Sequence, residues 1–166
     1  MEFVKGMDVS MIKELESHGA EYFLEGERED IFSILKKCRV NMIRIRIWPD
    51  PYDEKGRTYG GGGNDLQTTI EIARRTVEHR MGFMLDFHYS DFWADPAKQV
   101  KPKAWEGLKG KELETAVYLH TVDTLKALKN QQLTPAMVQV GNEITKGLLW
   151  PDGHIEHTEG MVSLLK

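Results

Sequence analysis

The sequence predicts an α/β fold built on parallel strands, and two observations carry the prediction. Short strand-like runs alternate with amphipathic helical stretches along all 166 residues, the rhythm of strands joined by helical crossovers. Each later strand run then passes directly into a cluster of polar residues. Parallel α/β sheets place their ligands at those carboxyl ends.

The elements follow in order. Phe3 to Met7 (FVKGM) is the first and weakest strand run. Asp30 precedes Ile31, Ile34, Leu35 and Cys38, an apolar stripe at helical spacing. Met42 to Ile47 (MIRIRI) alternates strictly between apolar and basic residues, the period of a strand. Asn64 or Asp65 caps a helix carrying Leu66, Ile70, Ala73 and Val77 on one face, and Gly82 stands where it should end. Phe83 to Phe87 (FMLDF) is the third strand. Leu113, Ala116, Val117, Leu125 and Leu128 mark the next helix, and Met137 to Val140 (MVQV) the fourth strand. The closing TEGMVSLLK reads as the first turns of another helix. These apolar stripes face a core.

Composition narrows the class. Lys plus Arg is 22 and Asp plus Glu is 26, a net charge of −4, which offers no basic field for nucleic acid. With 40% apolar and 29% charged residues the chain is globular in composition. A single cysteine, Cys38, excludes a disulfide framework and a Cys-rich zinc site. No apolar run approaches the ~20 residues of a membrane span, and MEFVKGMDVS lacks the basic-then-apolar pattern of a signal peptide.

Two parallel architectures fit, a doubly wound open sheet or a TIM barrel. Nucleotide-binding open sheets carry a glycine-rich phosphate turn after the first strand. Here that position holds Asp8-Val9-Ser10. Gly60 to Gly63 follows no strand and precedes no lysine, so it is expected to be a flexible turn. Polar ends on three successive strands favour the barrel.

Those ends carry the candidate chemistry. After the fourth strand come Gly141, Asn142 and Glu143. A carboxyl group there can protonate a leaving oxygen and later activate water, and the amide can bind a hydroxyl. The third strand supplies Asp86, a buried acid expected to hold a neighbouring Arg or His, and His88 at the strand end as a substrate contact. Asp86-x-His88 with the distant His154 and His157 offers a metal reading, but no third ligand at convincing spacing; no metal or other cofactor is expected. Arg44 and Arg46 share one strand face and need carboxylate partners, with Asp8, Asp86 and Glu143 as candidates. Arg46, nearer the strand end, is the better choice for the site. Trp48, Trp93, Trp105 and Trp150 all follow strand runs. Indole faces beside polar groups suit the apolar faces of sugar rings.

Four segments then carry a resemblance: GMDVSMIKELE, NMIRIRIWPDP, GFMLDFHYSDFWADPAKQVKPKAW and MVQVGNEITKGLLWPDG. In this order they resemble the endo-β-1,4-galactanases of glycoside hydrolase family 53, over nearly the whole chain. The resemblance implies a retaining (β/α)8 barrel with an acid/base Glu after strand four and a nucleophile Glu after strand seven. It implies that Glu143 is the acid/base and that Asn142 touches the sugar beside the scissile bond. It further implies that Arg46 and His88 line the catalytic centre, and that Asp8, Trp93 and Trp105 shape the cleft. The implied partner is β-1,4-galactan, as polysaccharide or oligosaccharide. The family is mostly extracellular, and the residues leave the location of this chain open.

A whole barrel needs ~250 residues and eight units; four units are legible here. Residues 1–166 are therefore expected to be the N-terminal half of one catalytic domain, without the nucleophile. The alternative is an inactive half barrel that at most binds carbohydrate weakly and self-associates through its open sheet edges. A metal-dependent barrel hydrolase is a third reading.

Overall fold

The structure, a computed structural model, describes residues 3–166. In chain order the elements are β1 (Gly6–Asp8), α1 (Ile12–Ser17), a hairpin of β2 (Phe23–Leu24) and β3 (Glu27–Arg28), α2 (Ile31–Lys37), β4 (Met42–Ile47), α3 (Leu66–Glu78), β5 (Gly82–Phe87), α4 (Gly110–Asn130), β6 (Met137–Val140), a hairpin of β7 (Gly147–Leu148) and β8 (Gly153–His154), and α5 (Thr158–Leu164). Four strands form one parallel sheet in the order β1-β4-β5-β6. Sequence neighbours in this sheet are also spatial neighbours, as in a barrel wall. The sheet is open, with β1 and β6 as its edges.

Alternation along the strands divides the sheet into two faces. Ile43, Ile45, Ile47, Phe83, Leu85 and Phe87 are buried against Phe32, Leu35, Ile72, Ala73, Leu113 and Leu128 in one hydrophobic cluster. The opposite face carries Asp8, Arg44, Arg46, Asp86 and Gln139. Asp8 pairs with Arg44, Arg46 with Asp86, and Asp86 with Gln139. Strand parity thus gathers the charged residues on the side that would be the barrel interior.

Cover fails at the two edges. Met7 on β1 and Val138 and Val140 on β6 are exposed although their register partners Ile43, Leu85 and Phe87 are buried. An apolar hollow of about 590 Å³ lined by Met7, Val9, Met11, Ile12 and Leu15 runs along β1. A second, of about 490 Å³, lies between Tyr89, Val117, Tyr118, Val140 and Leu164 near β6.

The helices end alike. After α1, α2, α3 and α4 a residue with positive φ follows the cap: Gly19, Arg39, Arg80 and Gln132. The amide of the next residue reaches back to a helix carbonyl, Ala20 to Leu15, Val40 to Leu35, Met81 to Thr76 and Leu133 to Leu128, each at 2.9–3.1 Å. This is the Schellman closure, which satisfies orphan carbonyls and buries an apolar residue behind them. Val40, Met81 and Leu133 are that residue and are all buried. At the other ends, Asp30 caps α2 by accepting from Phe32 N and Ser33 N, and Asp65 caps α3 by accepting from Thr68 N.

The structure shifts some expected boundaries. The first strand begins at Gly6, and Phe3 is 84% exposed. Ahead of Gly6, Lys5 N–H donates to the side chain of Asn41, and Asn41 N–H to Lys5 O. The short helix α1 has too little periodicity to be read from sequence. Gly82 does not end α3; Arg80 takes the left-handed position and Gly82 opens β5.

Candidate active site

The sharpest turn follows β6. Gly141 has φ +86, and a Cβ there would stand 2.6 Å from Ile144 Cγ2. Glu143 itself is left-handed, with φ 50 and ψ 42. Two left-handed residues within three positions of a strand end are strain of the kind concentrated at functional sites. They leave the Glu143 side chain exposed, with no hydrogen bond or ion pair among the described residues.

Asn142, one residue earlier, is buried and fully engaged. Its Oδ1 accepts from Arg44 Nη2 at 2.8 Å, its Nδ2 donates to Ala94 O at 2.7 Å, and its carbonyl accepts from Gln99 Nε2 at 2.8 Å. The turn that aims Glu143 is therefore fixed by the β5–α4 loop and by β4.

Arg44 is the hub of this floor. Nη1 donates to Asp8 Oδ2 at 2.6 Å, and Nη2 donates to Asp86 Oδ2 as well as to Asn142. Asp86 is fully buried, so its charge depends on this pairing. For Asp8, burial works to raise the carboxyl. The Ser10 amide and hydroxyl, Arg46 and Arg44 outweigh it and hold the carboxyl below its usual range.

The two arginines are placed differently. Arg46, chosen from sequence as the site residue, is 5% exposed. Its Nη2 donates to Gly61 O at 3.0 Å and its guanidinium lies 4.0 Å from the Trp93 ring centroid. The loop that follows β4 folds back over the end of the strand and covers Arg46, so the earlier Arg44 reaches the open floor. The signal was present, since Asp8 and Asn142 both need a donor and Arg44 has the parity to supply it.

His88 is 1% exposed. Its Nδ1 accepts from the Ala94 amide at 3.3 Å, which assigns the proton to Nε2. That nitrogen lies 3.0 Å from Asp86 Oδ2, within ion-pair range but off a good hydrogen-bond line. The ring stands edge-on to Trp48 and Trp93. His88 therefore supports Asp86 and the indoles, and both its nitrogens face protein.

The tryptophans separate. Trp93 is part exposed, beside Trp48 and Phe92. Trp48 is buried. Trp105, expected in the cleft, is 8% exposed, belongs to the hydrophobic core and packs edge-on against His120. The short turn Lys103–Trp105 folds inward because the Lys103 amide is tied to Asp91 Oδ2 at 2.8 Å. Asp91 also accepts from Asp50 N at 3.0 Å. Burial pushes its carboxyl up despite these two amides.

Gly60–Gly63 is also not the loose turn expected. Gly62 N donates to Glu14 Oε2 at 2.5 Å, and a Cβ on Gly62 would meet Ser10 O at 2.5 Å. Asp86 and His88 are neighbours of each other, whereas His154 packs on Trp150, 4.8 Å between ring centroids. Among the described residues no group of three His, Cys, Asp or Glu side chains is arranged to hold a metal ion.

Parallel βα units with an acid, an amide and an indole gathered at the carboxyl ends of the strands define the class, part of a barrel whose working end is that face. A family model for glycosyl hydrolase family 53 matches residues 4–166. The endo-beta-1,4-galactanase of Bacillus subtilis is 47% identical over 147 residues, covering 88% of this chain and 34% of that protein. The arabinogalactan endo-beta-1,4-galactanase of Cellvibrio japonicus is 38% identical over 156 residues, covering 93% and 40%. The solved GH53 catalytic domain of Ignisphaera aggregans superimposes with a TM-score of 0.95 at 46% identity, over 98% of this chain and 46% of that one. The chain belongs to glycosyl hydrolase family 53. It spans less than half the length of these relatives, and its fold is part of their TIM-barrel catalytic domain.

Proposed function

We propose that residues 1–166 are the N-terminal half of a single catalytic domain, and that the whole protein is an endo-acting retaining glycosidase cleaving β-1,4-galactosidic bonds in the galactan side chains of plant pectin. The observation that carries this reading is Glu143, an exposed carboxylate on a strained turn at the end of the fourth parallel strand, in a chain whose relatives are named for galactan cleavage. In this mechanism Glu143 gives its proton to the glycosidic oxygen as a carboxylate from the rest of the domain bonds to the anomeric carbon and the leaving sugar departs. It then takes a proton from the water that attacks the anomeric carbon and frees that carboxylate.

The nucleophile has to come from the rest of the domain. A retaining pair stands ~5–5.5 Å apart. Asp8 and Asp86 are both committed to Arg44. The proposal predicts that the full-length protein releases short galacto-oligosaccharides from β-1,4-galactan. Intact galactan alongside cleavage of another β-glycan would overturn the substrate assignment. Glu143→Gln should abolish most of that activity, and near-normal rates in the variant would sink the acid/base role.

For residues 1–166 studied alone, the exposed apolar strips on β1 and β6 support a second reading: an inactive half barrel that self-associates. Sedimentation should give associated species, and a compact monomer would count against it.

A further inference from the structure

Arg46 presents a problem that the mechanism leaves untouched. Burying a cation is costly unless it is compensated, yet this buried guanidinium makes no direct ion pair among the described residues: Arg44 takes both nearby carboxylates, and Asp8 and Asp86 act on Arg46 only through space. Its contacts are two indoles and a carbonyl. The guanidinium carbon lies 4.0 Å from the Trp93 centroid and 5.5 Å from that of Trp48, and Nη2 donates to Gly61 O. Cation–π attraction strengthens where water is excluded.

Trp93 is held on its other sides as well. Trp48, His88 and Phe92 stand edge-on to it at 5.7, 6.0 and 6.3 Å between centroids. Gly61 closes the group. With φ +68, a Cβ there would sit 3.1 Å from Trp48 Cη2 and 3.2 Å from Trp93 Nε1. Even so, Trp93 keeps part of its surface open.

We propose that Arg46 is a positioning residue that holds Trp93 as a flat platform for a sugar ring, with the glycine loop at Gly61 as the brace that keeps the pair together. This rests on the glycosidase reading above. Arg46 touches no reacting atom, so its effect passes through Trp93 and falls on substrate binding. A planar guanidinium stacks on an indole, whereas a lysine ammonium is a compact, hydrated point charge. Arg46→Lys therefore keeps the charge and removes the stacking plane.

The test uses the full-length chain with Arg46→Lys, Trp93→Phe and the double variant, assayed on β-1,4-galacto-oligosaccharides and by near-ultraviolet circular dichroism without substrate. Arg46→Lys should raise KM roughly three- to tenfold and leave kcat within about twofold. The double variant should match Trp93→Phe alone. The indole band should change more on Arg46→Lys in the parent than in the Trp93→Phe background, where Trp48 is the remaining indole beside the guanidinium. Additive effects on KM, or a loss of kcat at unchanged KM, would overturn the proposal. If Arg46→Lys does not fold, Gly61→Ala crowds Trp48 Cη2 and Trp93 Nε1 and should give the same KM and spectral signature; an unchanged KM and band there would overturn it. Should wild-type protein fail to cut galactan, the glycosidase reading falls, and the indole band alone decides the Arg46–Trp93 coupling: a band that Arg46→Lys does not move refutes it.

Discussion

Arg44 Nη2 donates to the side-chain oxygen of Asn142, 98 residues further along the chain, at 2.8 Å. The same guanidinium neutralises Asp86, which is fully buried. One side chain therefore sets the turn that aims Glu143 and supports the charge beneath it.

Arg44→Met should act on both. It leaves a buried carboxylate without its cation, and unfolding in urea should show a loss of about 2–4 kcal/mol. In the full-length chain kcat/KM on galactan should fall on the order of a hundredfold, because misplacement of a reacting group by about 1 Å has that effect. Arg44→Lys, able to reach one carboxylate but not three partners, should fall between. Wild-type rates in Arg44→Lys would show that Asn142 is held by other means.

His120 makes stability depend on pH. Burial among Phe87, Tyr89 and Trp105 lowers its pKa to about 4, against a small opposing effect of Asp123. The folded state thus keeps His120 neutral while the unfolded chain titrates near 6.5. Stability from this group is full above that unfolded value and is lost as pH falls from 6.5 towards 4, amounting to roughly 2–3 kcal/mol at the lower end. Denaturant titrations from pH 7 to 4 should show this slope in wild type and a flatter one in His120→Phe.

Asp8 acts further down the scale. Its folded carboxyl is held below 3.8, the unfolded value. A depressed carboxyl contributes stability above the unfolded pKa and loses it as pH falls through the folded one. Asp8→Asn should therefore be the less stable protein at neutral pH. The gap should narrow as pH drops below 3.8, measured by unfolding at fixed temperature.

Gln132 closes α4 with φ +60. Glycine adopts that conformation at no steric cost. Gln132→Gly should raise stability by about 0.5–1 kcal/mol, visible as a higher urea midpoint. A destabilised variant would mean that the side chain contributes more than the backbone costs.

Legibility from sequence followed how local each cause was. Met42–Ile47 and Met137–Val140 could be read to the residue because alternation and turn residues bound them tightly. That an exposed carboxylate stands just past the fourth strand was legible too, since a strand followed by Gly-Asn-Glu is a local pattern. The choice between Arg44 and Arg46 was not, because it depends on the chain after β4 folding back and covering the strand end, a long-range event. Trp105 misled for the same reason: its inward turn is set by Asp91, which sits twelve residues before the Lys103 amide it binds. The glycine run looked loose because nothing local reveals that Ser10 and Glu14 pack against Gly62.

The floor of the site is assembled one contribution per strand. Asp8 comes from β1, Arg44 from β4, Asp86 from β5, and Asn142 from the end of β6. Its hydrogen bonds exist only when all four strands are in register. The network is in effect a proofreader of assembly, reporting a single frayed edge that helix content would not register. Gentle denaturation should accordingly silence the site while the helices still look intact.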